Sequence, residues 1–488
     1  MDILTGLRRA AQCFGDCPAV IDGPVRYTWR QFDARTRLVA AGLRGIGVQP
    51  GDRVAVLMLN NYRYLELYHA LPRMGGVIVP INTRLTAAEI ADTLMDSGAT
   101  VLVVDKTLAP LAAAVGGSRR VVYAADGASP AGMLPYEQLP VIGAQQPALP
   151  EQVPDPDDVV GLFYTGGTTA SAKGVMLTHK NMVTNSLHAI PHVEARQSDN
   201  YLYTAPLFHV AAAGCFPIFT LVGGCHTVLR RFDPSVMLET IQRERVTVTM
   251  LVPTMINALL QTPTIGDYDL SSWRLLVYAA SAIAPALLRR TMAALPCGLA
   301  QAFGLTEAAP CVTWLSVSDH RAIRDAAPGS CWERRAASCG QPMIGVEVRV
   351  VNEQEGDVGP GEVGEIIVRG DNVTSGYWNK PSETAEALRD GWLRTGDLAS
   401  ADEDFYLTIV DRKKDMIISG GENIYSIEVE AALYAHPAVL EAAVIAVPDT
   451  KWGDRVHAVV ALRPGQSATP EDLEPILKPG IVDASYLV

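Results

Sequence analysis

Short β-branched apolar runs alternate with helical patterns through the first three quarters of the chain. That alternation restricts the fold more than any other feature. Val54 to Leu59, Val77 to Ile81, Val101 to Val104, Val159 to Tyr164, Val246 to Val252 and Leu275 to Ala279 read as strands. Between them Trp29 to Leu43, Tyr64 to Met74 and Pro234 to Glu244 read as helices. Strands that are apolar on both faces and separated by helices predict an α/β protein with largely parallel, buried sheets. A chain of 488 residues, 48% of them apolar, is too long for one core and rich enough for several packed units.

From about residue 340 the texture changes. "GVEVRVVNEQEGDVGPGEVGEIIVRG" reads as strand, Gly/Pro turn, strand, a small antiparallel β unit. "DRKKDMIISGGENIYSIEVEAALYAHPAVLEAAVIAVPD" then reads as strand, glycine turn, helix, strand, a compact α+β lid starting near Asp411. The stretch from Ala109 to Pro154 is rich in Ala, Gly and Pro and reads as a variable loop region with a strand near Val121. The expected architecture is α/β, with a large N-terminal domain over 1–410 of two stacked, mainly parallel sheets with helices. A small β-barrel-like unit over about 340–410 belongs to it, and an α+β C-terminal lid domain follows over 411–488.

The formal net charge of −13 argues against a nucleic-acid binder, which needs clustered Lys and Arg. The eight cysteines form no C-x-x-C pair and no zinc-like spacing, which suits a reducing cytoplasm. The N-terminus, "MDILTGLRRAAQCF", has no apolar core of a signal peptide. Residues 200–229 contain no Asp, Glu, Lys or Arg, long enough to span a bilayer. Pro206, Pro217, Gly223 and Gly224 interrupt that stretch, so a buried core segment and no transmembrane segment is expected.

"FYTGGTTASAKGVMLTHKN", residues 163–181, follows one of the strand-like runs. Phosphate oxygens need several short donors converging from one side. Backbone N–H groups in a turn containing Gly166 and Gly167 supply them, because glycine lets the chain approach closely. The hydroxyls of Thr165, Thr168 and Thr169 add donors without bulk, and Lys173 adds a mobile positive charge. Gly174, not Ser or Thr, follows Lys173, so this is not a Walker loop. On its own the segment is either a triphosphate cradle or an ordinary surface loop.

Five further stretches accompany it in order: "PLFHVAAAG" from Pro206, "QAFGLTEAAP" from Gln301, "GYWNKPSET" from Gly376, "WLRTGDLA" from Trp392 and "VDRKKDMIISGGENIYSIEVE" from Val410. Together the six resemble the motifs of the ANL superfamily of ATP-dependent adenylating enzymes. That superfamily includes acyl-CoA synthetases, peptide-synthetase adenylation domains and firefly luciferases. The resemblance implies an acyl-CoA synthetase, which joins a carboxylate to ATP to give acyl-AMP and pyrophosphate and then transfers the acyl group to coenzyme A. ATP, Mg2+ and coenzyme A are the implied cofactor and substrates, with a small-molecule carboxylic acid, and a homodimer is the assembly it allows. Loading of a carrier protein and a non-catalytic nucleotide- or acyl-binding relic are the alternatives.

By resemblance, Thr165, Gly166, Gly167, Thr168, Thr169 and Lys173 hold the β- and γ-phosphates. Thr306 touches the α-phosphate, and Glu307 holds magnesium with Thr168. Phe303 stacks on adenine, with Gly304, Ser281 and Ala282 at the same nucleotide end. Asp397 accepts both ribose hydroxyls and Arg412 is a second ribose contact. Asp411 is the hinge of the lid, and Gly420 and Gly421 form its turn on the coenzyme A channel. Ser426 replaces a common Pro at the first turn of a helix, a change that reads as tolerated. His209 stands at the mouth of the acyl site. No carboxylate lies between Tyr201 and Arg230 to hold a substrate ammonium, which favours an uncharged acyl tail. The small residues Ala211, Ala212, Ala213 and Gly214, with Ser281 and Ala282 further on, give that pocket room.

The family's closing Pro-rich, Gly-Lys motif, whose lysine serves adenylation, has no match after Arg463. There the chain reads "PGQSATPEDLEPILKPGIVDASYLV", and Lys478 stands in a different context. Truncation or frameshift, a chain cut short for expression, and a charge supplied from elsewhere are the open readings. The first is favoured. It predicts that ATP and acyl-AMP binding persist while acyl-AMP formation slows.

Overall fold

A computed structural model describes residues 1–149, 154–165, 172–419, 422–434, 436–449, 453–463 and 465–473. Among the described residues the strands form four sheets. The largest runs in space as Gln341–Pro342, Cys311–Leu315, Gly298–Gly304, Leu275–Ala279, Val248–Leu251, Asn200–Tyr203, Cys225–Val228, Pro18–Asp22 and Val25–Thr28. Its interior pairs are parallel, and both edges are antiparallel. The second runs as Leu134–Pro135, Arg120–Tyr123, Val101–Val104, Arg53–Leu57, Val77–Pro80, Val159–Thr165 and Lys173–Thr178. It is parallel except where Val159–Thr165 meets Lys173–Thr178.

The unbroken apolar runs have a physical cause. Val77–Pro80, Val101–Val104, Asn200–Tyr203 and Val248–Leu251 are buried at every position, covered on both sheet faces. One core spans both sheets and includes Val54, Val103, Tyr201 and Met250. Each fully buried large side chain contributes roughly 1.5–3 kcal/mol. Capping boxes at Thr28–Gln31, Thr86–Glu89 and Thr178–Asn181 start the helices Trp29–Gly45, Ala87–Ser97 and His179–Val193.

The third sheet is small and antiparallel, with Glu347–Val351, Val363–Arg369, Trp392–Ala401 and Leu388–Arg389 in order and Leu407–Arg412 on Trp392–Ala401. The fourth runs as Glu422–Ile424, Ile417–Ser419, Gly453–Leu462 and Val439–Asp449. Val429 and Leu433 of helix Ser426–Tyr434 join Val439, Val444 and Val456 of that sheet in a separate small core.

One expectation needs adjustment. The stretch from Ala109 is more than a loop with one strand: it holds helices Ala109–Val115 and Gln138–Gly143 and strands Arg120–Tyr123 and Leu134–Pro135. Its helices are too short to show a clear periodicity. The charge-free stretch 200–229 is the strand Asn200–Tyr203, helices Val210–Ala213 and Cys215–Val222, and the strand Cys225–Val228. Among the described residues no helix is long and apolar enough to cross a membrane.

Candidate active site

The loops at the carboxyl ends of Leu275–Ala279 and Gly298–Gly304 open onto a cavity of about 1680 Å³. The ends of Val159–Thr165 and Lys173–Thr178 reach the same cavity. Strand carboxyl ends are where α/β sheets place ligands. Phe303 and Gly304 end one strand, and Ser281 and Ala282 follow its parallel neighbour, so all four line one edge. Ala280, between them and the sheet, has φ +72°, a strained conformation for an L-residue. Gly304 is dictated by packing: a Cβ there would lie 1.9 Å from the carbonyl oxygen of Pro310.

Thr306 and Glu307 sit on a single 3-10 turn, Thr306–Ala308, directly after that strand. The N–H of Thr374 donates to the Glu307 carbonyl at 2.8 Å, and the Tyr377 hydroxyl donates to Glu307 Oε1 at 2.8 Å. Lys173 Nζ lies 5.1 Å from the centre of the Tyr377 ring. Thr165, half-buried, pairs with Lys173 across the antiparallel ladder. Lys173, Thr306 and Glu307 thus line the cavity together with Thr165. Gly166, Gly167, Thr168 and Thr169 lie outside the described residues, as does Ala170.

Asp397 and Arg412 face each other as partners in the register of their two strands, with Nε 3.5 Å from Oδ1. Asp397 is 9% exposed. Burial pushes its carboxyl up to about 6, against the pull of Arg412 and with help from Glu307 and Glu365. Glu365, also buried, holds Lys413 at 3.3 Å and Arg394 at 3.2 Å on the same rim.

The other end of the cavity is apolar. Tyr201, Phe219, Val248, Met250, Val277 and Trp314 line it, with the Tyr201 ring stacked on Phe219 at 4.7 Å. Among the described residues, the acidic ones on the cavity wall are Glu307 and Asp397 at the polar end and Glu430 and Glu441 from the C-terminal helix and sheet. His209 lines the junction. Desolvation, followed by the charge of Arg84, lowers its pKa and keeps the imidazole neutral. Ala211 and Gly214 line the cavity, but Ala212 and Ala213 are buried in the core instead. Gly214 makes room for protein as well as ligand, since a Cβ there would meet Pro310 Cδ at 2.8 Å.

The sequence profile of the AMP-binding enzymes matches residues 7–378, and that of the AMP-binding enzyme C-terminal domain matches residues 428–482. The chain belongs to the AMP-binding enzyme family. A feruloyl-CoA synthase from Amycolatopsis is 40% identical over 468 residues, covering 95% of this chain and 89% of the relative. A long-chain-fatty-acid–CoA ligase from Thermus thermophilus is 38% identical over 490 residues, covering 97% and 88%. Among solved structures, the anthranilate CoA ligase AuaEII in complex with anthranoyl-AMP superposes with a TM-score of 0.89 at 25% identity, covering 100% of this chain and 93% of that one. This AMP-binding enzyme is an adenylating enzyme of the acyl-CoA synthetase type, an AMP-forming acid–thiol ligase.

In this enzyme Asp411 is buried on the last strand of the small sheet, six residues before the C-terminal sheet begins at Ile417. Its carboxylate accepts the Ser426 N–H at Oδ2 and the Ser426 hydroxyl at Oδ1, 3.1 Å away. A proline at 426 would have no N–H to give, so serine here makes a specific tie between strand and helix. Gly420 and Gly421 lie outside the described residues. Sequence reasoning passed over Tyr377, Glu365 and Arg394. Tyr377 stood inside the quoted motif "GYWNKPSET", but nothing local says that its hydroxyl reaches Glu307, 70 residues away.

Proposed function

We propose that the enzyme uses ATP to activate a carboxylic acid with an uncharged, aryl-bearing tail and passes the acyl group to coenzyme A. The observation that carries this reading is one cavity with two unlike ends. One end presents Lys173, Thr306, Glu307, Asp397 and Arg412, and the other an apolar chamber walled by Tyr201 and Phe219. The first end suits a nucleotide, the second a flat hydrophobic acyl group. The likeness to a feruloyl-CoA synthase fits an aryl acid, and the comparable likeness to a long-chain-fatty-acid–CoA ligase makes fatty acids the competing substrate class.

In this reading Asp397 and Arg412 hold the ribose, Phe303 lies against adenine, and Ser281, Ala282 and Gly304 shape that end. Thr165 and Lys173 contact the phosphates, and Thr306 donates its hydroxyl to the α-phosphate, where negative charge accumulates as the acid attacks. Gly166, Gly167, Thr168 and Thr169 extend the phosphate loop. Neutral His209 borders the reacting carboxylate without adding a charge that would pin it. Asp411 is the hinge of a lid running from residue 411, and Gly420 and Gly421 belong to the thiol channel.

Glu307 fits magnesium. It offers a hard oxygen, and among the described residues it makes no ion pair that would compete. Among the described residues no group of three or more His, Cys, Asp or Glu could cage a metal alone. That suits magnesium, which binds through one or two carboxylates plus substrate phosphates. When bound it would neutralise phosphate charge as the acid approaches.

The test is thioester formation from ATP, Mg2+ and coenzyme A with a panel of acids: ferulate, benzoate, octanoate and palmitate. Ferulate-type acids should give the highest kcat/KM. A preference for palmitate would refute the aryl assignment, and no thioester with any acid would refute the activity proposed.

A further inference from the structure

We propose that Tyr377 is a positioning residue that keeps the metal-binding carboxylate and the phosphate-binding lysine apart, so that each stays available to the nucleotide. This rests on the roles given above to Glu307 and Lys173. Both charged groups touch the same side chain: the Tyr377 hydroxyl donates to Glu307 Oε1 at 2.8 Å, and Lys173 Nζ lies 5.1 Å from the ring centre. Opposite charges held on one tyrosine side chain attract each other. Lysine's flexible four-carbon stem could carry its ammonium to the carboxylate. Yet among the described residues Lys173 and Glu307 make no ion pair with each other.

The tyrosine satisfies each group separately. Its hydroxyl gives Glu307 one hydrogen bond and leaves the second oxygen for a cation. Its ring face gives Lys173 a cation–π contact that a phosphate can outcompete. An un-ionised phenol beside a carboxylate is the donor of the pair.

The surroundings hold Tyr377 firmly. Gly376 and Trp378 bond to the strand of Lys173, through Met176 N–H to the Gly376 carbonyl at 3.0 Å and Trp378 N–H to the Gly174 carbonyl at 2.8 Å. Gly376 has φ +136° and a Cβ there would lie 2.4 Å from Thr384 Cγ2, so only glycine fits. Trp378 anchors the segment elsewhere, donating to the Asp96 carbonyl at 3.2 Å with Arg53 over its ring.

The test measures ATP binding to the full chain by calorimetry, with and without Mg2+ and with no carboxylic acid present. Tyr377→Phe keeps the ring and loses the hydroxyl. It should cut the Mg2+-dependent gain in ATP affinity on the order of tenfold, the usual scale for losing a partner that orients a metal ligand. Metal-free ATP affinity should stay the same. Tyr377→Leu removes the spacer as well, so metal-free ATP affinity should also fall as Lys173 is captured by Glu307. Adding Glu307→Gln to Tyr377→Leu should restore metal-free affinity, an outcome that a misfolded variant could not give. An unchanged Mg2+ gain in Tyr377→Phe, or no rescue in the double variant, overturns the proposal. If Glu307→Gln alone leaves the Mg2+ gain intact, the metal role of Glu307 fails first and takes the proposal with it.

Discussion

Asp397→Asn tests the ribose assignment through two opposite effects. The native carboxylate stands in an unfavourable place: it is 9% exposed and burial pushes its pKa from 3.8 up to about 6. Between those two values the folded protein holds a proton that the unfolded chain has released. Apoprotein stability therefore falls as pH rises from about 4 to about 6, and the loss is complete above that window. At neutral pH the penalty is on the order of 3 kcal/mol. Asparagine has nearly the same shape and no charge. The variant's apoprotein should melt higher than wild type at pH 7.5, with the gap closing towards pH 5.

Ligand binding should move the other way. An ionised carboxylate can accept two ribose hydroxyls, whereas the amide has one acceptor oxygen. Losing a hydrogen bond to a charged group costs about 1.5–3 kcal/mol, or roughly 10- to 150-fold in affinity. Adenosine is the right probe, because it carries the ribose but no titrating phosphate. In wild type its affinity should weaken below pH 6 as Asp397 protonates, and in the variant the profile should be flat. Calorimetry from pH 5 to 8 reads both. Parallel profiles for the two proteins, or equal affinity at pH 7.5, would refute the assignment.

Three further substitutions probe other parts of the cavity. Gly304→Ala puts a methyl 1.9 Å from the backbone oxygen of Pro310, where no side chain can swing aside. Overpacking of this kind costs about 1–3 kcal/mol, so both melting temperature and adenosine affinity should drop; no change in either would show that the turn relaxes freely. Met250→Trp fills the apolar chamber and should raise KM for the aryl acid at least about tenfold while KM for ATP holds, by loss of space at one end only. A matched rise in both constants would mean that the chamber is not the acyl site. Ser426→Ala deletes the 3.1 Å hydrogen bond to Asp411, worth about 0.5–1.5 kcal/mol, and should alter the ratio of pyrophosphate exchange to thioester formation. An unaltered ratio would separate this tie from the hinge.

The parts of the molecule that were legible beforehand share a physical property: their signal is local. Val77–Pro80 and Val101–Val104 read as strands because each is buried on both faces and so apolar at every position. Helix Pro234–Glu244 could be placed to the residue because Asp233 caps it and proline opens it. The motifs single out residue types suited to the proposed chemistry, and the fold brings Thr165, Lys173, Thr306, Glu307, Asp397 and Arg412 to one cavity. Their mutual contacts were not legible. Glu307 meets Tyr377, and Tyr377 meets Lys173, only because the segment 374–378 hydrogen-bonds alongside the strand that begins at Lys173. Asp397 meets Arg412 through strand register alone. Ser426 shows the same limit at the hinge. As a letter it looked like a harmless exchange for proline, because nothing nearby in sequence needs its N–H. In the fold both its N–H and its hydroxyl are spent on Asp411, fifteen residues earlier, so the exchange links the residue proposed as hinge to the helix that would move with the lid. A substitution that looks neutral by local propensity can thus alter the balance between two arrangements of the same domains, wherever a backbone donor that proline lacks is bonded in one arrangement and not in the other.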